Sequence, residues 1–446
     1  MPCKRERSTE RKSAKRKVLD IRKNVATSAL ARCKYGGSVF GTKFPVTDKA
    51  EALFLVHRIP YPPDKGDKIR SWRMFRHLAD RYNLHLVAFA DDPEDMVHQA
   101  HLERYAKSVS IFPLDPFNAK LKSLTALASG KPLSLMYFQD QKVQSKVNEL
   151  RERPLAAEFV FSSSMAPYIE DQVQARPRLI DFCDADSVKW SQYAEKASGP
   201  MRWVYQREGK KLAQAEAAMI NWADASFAVT PQEAALLNAL PGVSKSVDWW
   251  GNGVDFDYFT PSKDYVLTQT PADVVFVGAM DYRANVDAVD RFVKEIWPQI
   301  RKARQEASFA IVGRNPTASV TALGQTPGVQ ITGAVDDVRP WLDAAKIVVA
   351  PLCVGRGIQN KVLEAMAMGK ALVASPEAMI GVQCSDDAVA IEDGTRAFAD
   401  RVIALLSDHE HREKMGARAR KDIEENYNWT TQLKRLDTAV STLVVR

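Results

Sequence analysis

Short continuous apolar runs alternate along this chain with longer segments whose apolar positions recur every three or four residues. The first run is "ALFLV" at 52–56; a Pro/Gly loop follows, residues 69–79 carry helical spacing, and a second run lies at 84–89. Apolar residues on both faces of such short strands are the pattern of a parallel sheet covered on both sides. Runs at 109–112, 159–162 and 179–182 continue the series, "VYQREGKKLAQAEAAMINWA" reads as a long helix, and "ASFAVT" as another strand. The second half repeats the alternation. "DVVFVGAM", "ASFAIVG", "VQITGAV", "KIVVAPL" and "ALVAS" are predicted strands, separated by helices predicted at 286–299, 337–344 and 360–368.

Two successive βα arrays of similar size predict an α/β protein of two doubly wound, Rossmann-like domains facing a central cleft, where a ligand is expected. A chain of 446 residues is long enough for two such cores. The segment "WWGNGVDFDYFTPS" marks the boundary, because Gly and Asn permit an irregular path and Pro261 blocks continuation. The expected division is an extension at 1–49, a first domain at 50–250, a second at 251–428, and a final helix at 429–446 that returns to the first domain. Helical pattern begins at about Glu410.

Charge changes the picture only at the N-terminus. The formal net charge is +7, yet residues 1–49 hold fourteen Lys and Arg against four acids, so the remainder is slightly acidic. That stretch reads as a disordered extension or as an electrostatic contact with an anionic membrane. No aromatic residues are interleaved with its cluster of charges, so nucleic acid is not an expected partner. The five cysteines, Cys3, Cys33, Cys183, Cys353 and Cys384, show no C-x-x-C spacing, which suggests neither a zinc site nor a disulfide framework. A run of about 18 apolar residues and a signal-peptide core are both lacking, so a cytoplasmic chain, peripheral at the inner membrane face if the basic stretch binds there, is expected.

The candidate chemistry centres on "KIVVAPLCVGRGIQNKVLEAMA", a strand, a loop and a helix from about Asn360. Ligands of open parallel sheets collect where strands end and helices begin. A helix N-terminus there carries free N–H groups and positive partial charge, suited to a phosphate. Arg356 and Lys361 add full charges, and Gly355 and Gly357 let the backbone come close. Glu364 lies on the same face as Asn360 and Lys361. A carboxylate there would repel phosphate but can accept two hydrogen bonds from a ribose diol, and its apolar neighbours Val362, Leu363, Ala365, Met366 and Ala367 make a mere surface role costly. A nucleoside diphosphate satisfies both demands.

From Asn252 to Ser375 the chain resembles the family 4 retaining glycosyltransferases of GT-B fold, through "NGVDFDYFTP", "VVFVGAMDYRANVDAV", "FAIVGRNPT", "GVQITGAVDDVRPWLDAAKIVVAPL" and "GIQNKVLEAMAMGKALVAS". In the first half, "RIPYPPDKGDKIRSWRMFRHLA" and "LIDFCDADSVKWSQYA" are similar to the sugar transferases of PEP-CTERM and exosortase systems in bacterial exopolysaccharide synthesis. The resemblance implies a nucleoside-diphosphate sugar as donor, a glycan or lipid-linked acceptor, and neither cofactor nor metal. It matches Glu364 to the second acid of an E-x7-E signature and puts Arg356 where the first is usual. It implies donor contacts from Gly278, Arg283, Asn285, Arg314, Gly333, Gly357, Ile358, Gln359, Asn360 and Lys361, with base recognition at 331–335.

In the first domain, "PYPPDKGDKIRS" places Gly66, Asp67 and Arg70 in a loop and helix start, and "DFCDADSVKW" concentrates Asp181, Asp184 and Asp186 after a strand. These are the expected acceptor or cleft residues, with Asp184 the acid chosen if one is essential. An inverting enzyme needs a general base; a retaining one can use the leaving diphosphate. Asp184 and Asp186 also admit a metal reading, against the resemblance. Two other readings stand beside sugar transfer: a nucleotide-sugar epimerase of the same shape, which needs no acceptor, and a catalytically silent binding module. A dinucleotide oxidoreductase is disfavoured because no G-x-G-x-x-G follows residues 52–56.

Overall fold

The computed structural model describes residues 49–170, 176–267, 269–355 and 357–444. Residues 1–48 of the basic stretch and Arg356 therefore lie outside the described residues, and so do the readings that rest on them.

The first sheet comprises β1 (Glu51–Val56), β2 (Asn83–Ala90), β3 (Ser108–Pro113), β4 (Leu155–Phe161), β5 (Arg178–Cys183), β6 (Ala225–Ala228) and β7 (Asp248–Trp249). The second comprises β8 (Val274–Val277), β9 (Phe309–Val312), β10 (Val329–Gly333), β11 (Ile347–Ala350), β12 (Ala371–Ala374) and β13 (Ala390–Ile391). Their orders are 3-2-1-4-5-6-7 and 10-9-8-11-12-13, with parallel pairing throughout. In both sheets the order reverses beside the first strand, between β1 and β4 and between β8 and β11. Loops leaving neighbouring strands there diverge to opposite faces and open a crevice at the carboxyl ends.

Register follows from burial. Phe54 of β1 lies opposite Leu86 of β2 and Phe159 of β4, all fully or almost fully buried. The first domain has one apolar cluster on each face of its sheet, and the second a continuous core around β8, β9, β11 and β12. The 286–299 helix expected from periodicity is three segments: Arg283–Arg291, a wider π turn at Phe292–Ile296, and Trp297–Ala303. Pro298 has no N–H to donate back into the preceding turn, a local cause for the irregular winding. The C-terminal helical region also divides. His409–Asn426 packs Met415, Ala419 and Ile423 into the second core, whereas Trp429–Val444 buries Trp429, Leu433, Leu436 and Val440 in the first.

The chain thus crosses between the domains twice, and the crossings touch. Val254 N–H donates to Tyr427 O at 2.9 Å, and Gly251 N–H to Gln432 Oε1 at 2.8 Å. A Cβ on Gly253 would lie 2.8 Å from Trp429 N and Tyr427 O, so only glycine admits this approach.

Candidate functional site

A cleft of about 3180 Å³ runs between the carboxyl ends of the two sheets. Its second-domain wall starts with the helix Asn360–Ala367, whose N-terminus has no side-chain cap. Gly357, at φ 57°, makes the left-handed turn that leads into it. A Cβ there would stand 3.0 Å from Asp184 Oδ1 and 3.2 Å from Val229 Cγ1, so the loop meets the first domain at this residue.

Lys361 and Glu364 occupy one face of this helix and both line the cleft. Lys361 lies over the Phe276 ring, 4.8 Å from its centroid, and donates to Asn285 Oδ1. Asn285 Nδ2 donates in turn to Ala279 O at 2.9 Å. Gly278 is required beneath this bond, since a Cβ would approach Asn285 Nδ2 to 2.6 Å. Burial lowers the Lys361 ammonium to about 8, partly offset by Glu364. Burial also raises the Glu364 carboxyl to about 7, partly offset by Lys361. The two groups stand close enough to sense each other, and neither is satisfied by that neighbour alone.

Arg314 reaches across the cleft and pairs with Asp64 of the first domain. Its Nη2 is buried without a hydrogen-bond partner, a spare donor at the cleft wall. The strand ends are tied together: Gly278 N–H donates to Val312 O at 3.0 Å, and Gly313 N–H to Gly333 O at 3.2 Å. Gly333, at φ 68°, turns the chain but does not line the cleft itself; Ala334, Val335 and Asp336 do. Ile358, Gln359 and Asn360 line the cleft, with Ile358 also packed against the second core.

The first domain presents a second helix N-terminus, that of Gly66–Ala79, toward the first. A Cβ on Gly66 would lie 3.8 Å from Asn360 Nδ2. Asp67 in its first turn accepts from Arg58 at 2.9 Å and lies 3.3 Å from His57 Nε2. Burial opposes ionisation of Asp67, but His57 and Arg58 hold its carboxyl well below the usual carboxylate range. His57 follows β1, stacks on Phe161 at 5.9 Å and lines the cleft. Asp184, Asp186 and Lys189 line the same wall. Burial would lower the Lys189 ammonium, yet Asp186 and Asp184 raise it well above its usual range, so a permanent cation faces Tyr282 of the other domain. Among the described residues no three His, Cys, Asp or Glu side chains converge in metal-ligating geometry.

Besides Gly333, three expected contacts lie off the cleft lining. Arg283 opens the helix after β8, but its side chain is 89% exposed, does not line the cleft and pairs with Asp287 at 3.6 Å. Two positions further on the same turn, Asn285 faces inward instead. Arg70 and Asp181 are fully buried beneath the cleft floor and do not line it. Arg70 Nη2 lies 2.9 Å from Asp181 Oδ2, its guanidinium stacks on Trp250 at 3.5 Å, and it donates to Trp250 O at 2.8 Å and Asn252 Oδ1 at 3.3 Å. Asn252 Nδ2 then donates to Asn360 Oδ1 at 3.0 Å. Arg70 therefore supports the site through the interdomain crossing.

Sequence reasoning passed over Asp64, Lys189 and Asn252, and also the buried acids that hold the first-domain wall. Glu208 accepts from Leu133 N at 2.7 Å, Ser134 N at 2.8 Å and Ser134 Oγ at 2.7 Å, and Ser134 Oγ in turn accepts from Trp190 Nε1 at 3.1 Å. Acids at 208 and 216 in the long helix were the available signal. Glu216, raised to about 8 by burial, accepts from Ser187 N at 3.3 Å.

Residues 271–408 match the family described as glycosyl transferases group 1. No curated protein matches the chain in sequence. The fold is similar to sucrose-phosphate synthase from Thermosynechococcus elongatus, with 16% identity and a TM-score of 0.62 over 89% of this chain and 99% of that one. Anabaena HepE, solved with UDP and glucose, gives 15% identity and 0.60 over 88% and 100%. TarM gives 10% and 0.62 over 89% and 99%. The chain thus has the two-domain GT-B fold, and residues 271–408 in its second domain are similar to the glycosyl transferases group 1.

Proposed function

We propose that the protein is a glycosyltransferase that takes a nucleoside-diphosphate sugar in the second domain and passes the sugar, with retention, to a glycan or lipid-linked acceptor held by the first. The observation that carries this reading is the pairing of Lys361 and Glu364 at an uncapped helix N-terminus in the cleft, inside the region matched at 271–408. The helix N–H groups and Lys361 stabilise the leaving diphosphate as charge develops on it. Glu364, when ionised, accepts both hydroxyls of the ribose. Gly357 lets the diphosphate reach the backbone, and Arg314 supplies a further donor.

The acceptor enters from the wall formed by Gly66, Asp67, Asp184 and Lys189. Asp184 orients the attacking hydroxyl, and the departing diphosphate takes its proton, which keeps attack on the face the leaving group vacates. The chemistry needs no metal, because helix dipole and lysine occupy the place of a cation. The resemblance of the first half to exopolysaccharide sugar transferases supports a role in building such a polymer on the cytoplasmic side of a membrane.

Calorimetric titration with UDP, GDP, ADP and TDP, with and without EDTA, on wild type and Glu364→Gln tests the donor half. One diphosphate is expected to bind selectively, unaffected by EDTA and much more weakly to the variant. If none of the four binds, the donor assignment fails. Proton NMR of the anomeric signal in the first product formed then checks retention.

A further inference from the structure

The helix Pro116–Ser123 has its small residues inside and its large ones outside. Ala119 and Ser123 are buried, whereas Phe117 is 74% exposed, Leu121 60% and Leu124 53%. At 100° per residue the three large side chains fall within an arc of roughly 60° opposite the buried pair. Leu124 and Thr125 keep right-handed helical angles into the next turn, Ala126–Ser129, where Leu127 is 40% exposed. A solvated helix shows the reverse pattern, with polar residues on the outer face.

The charge around this face is mainly positive, the exception being Asp115, which caps the helix N-terminus. Between residues 116 and 139 there are three lysines, Lys120, Lys122 and Lys131, and no acid. Arg207 of the long helix ties that helix to this segment, donating to Ala126 O at 2.6 Å and Lys131 O at 3.2 Å. One turn before Arg207 stands Trp203, 59% exposed, with Arg202 beside it. The segment then runs directly into Ser134 and Phe138, which line the cleft.

We infer that this surface docks the protein on an anionic lipid bilayer, with Phe117, Leu121, Leu124 and Leu127 entering the headgroup region and the lysines on lipid phosphates. An outward apolar face rimmed by cations is the composition of an interfacial helix. Docking here sets the acceptor side of the cleft at the membrane, a geometry suited to the lipid-linked acceptor proposed above. The docking inference itself does not depend on donor binding.

The full chain is tested by vesicle flotation, with phosphatidylcholine alone and with added phosphatidylglycerol, at low and high salt. Wild type is expected to float with the anionic vesicles and to retain part of that binding in high salt, which screens purely electrostatic attachment. The triple variant Phe117→Ser, Leu121→Ser, Leu124→Ser should lose partitioning by on the order of a hundredfold, since all three side chains are exposed and enter lipid only when docked. Its melting temperature and nucleoside-diphosphate affinity should stay at wild-type values, which separates this failure from failure of the donor reading. Unchanged flotation of the triple variant overturns the inference and assigns membrane binding elsewhere. A wild-type dimer that becomes monomeric in the triple variant, without vesicle binding by either, overturns it in favour of self-association.

Discussion

Replacing Lys361 by alanine removes one charge from the helix N-terminus, and the size and pH dependence of the effect follow from its surroundings. An ammonium about 4 Å from a phosphate charge interacts by about 4 kcal/mol at an effective dielectric near 20. Part of this is offset by the bond to Asn285 that must be shared. A net loss of about 1.5 to 3 kcal/mol is expected for a charge-assisted hydrogen bond, or roughly 10- to 150-fold in affinity. Because burial has already lowered the free lysine to about 8, wild-type affinity should fall as pH rises through about 8, where the cation is lost before the ligand can hold it. Burial raises Glu364 to about 7, so affinity should also fall as pH drops through about 7 and the diol acceptor is protonated. The profile is a bell between these limits, each limb approaching about tenfold per pH unit. A nucleotide sugar is the right ligand for the titration, because its diphosphate diester does not ionise in this range. Lys361→Ala should abolish the alkaline limb and move the acid limb upward, since Glu364 loses the neighbour that favours its charge. Glu364→Gln should do the converse, removing the acid limb and moving the alkaline limb downward. An alanine variant that binds within about twofold of wild type, with the alkaline limb intact, would refute the assignment of Lys361 to the diphosphate.

Two further outcomes test the corrected positions. Arg283→Ala should leave nucleotide affinity and turnover within about threefold, because its charge is exposed and screened; a loss like that of Lys361→Ala would show that the side chain swings into the cleft on binding. Arg70→Ala leaves Asp181 buried and uncompensated and should cost about 3 to 5 kcal/mol of stability, read as a large drop in melting temperature, whereas a stable but inactive variant would return Arg70 to the catalytic surface.

The strands and the helix at 360–367 were legible because continuous apolar runs and a glycine-flanked turn each have one economical reading. Lys361, Glu364 and Gly357 were legible as neighbours at one helix start, because their spacing puts them on the side that lines the cleft. Arg283 failed for the same reason: at a helix start two positions decide between cleft and solvent, and composition does not choose between Arg283 and Asn285. Asp181 and Asp184 look alike after a strand, yet Asp181 is still within β5 and points into the core, whereas Asp184 lies beyond its end. The segment from 116 to 138 stayed unread because its short helices bury small residues and carry no usual apolar period.

The double crossing between the domains bears on the order in which the protein is made. The face of the first sheet that holds Phe54, Phe159 and Trp250 is covered in part by Trp429, Leu433, Leu436 and Val440. A ribosome releases those residues only after the entire second domain, so the domain begun first is finished last. A nascent chain halted before residue 429 would hold a second domain ready to fold and a first domain with part of its core bare to water, a natural handle for chaperones and proteases.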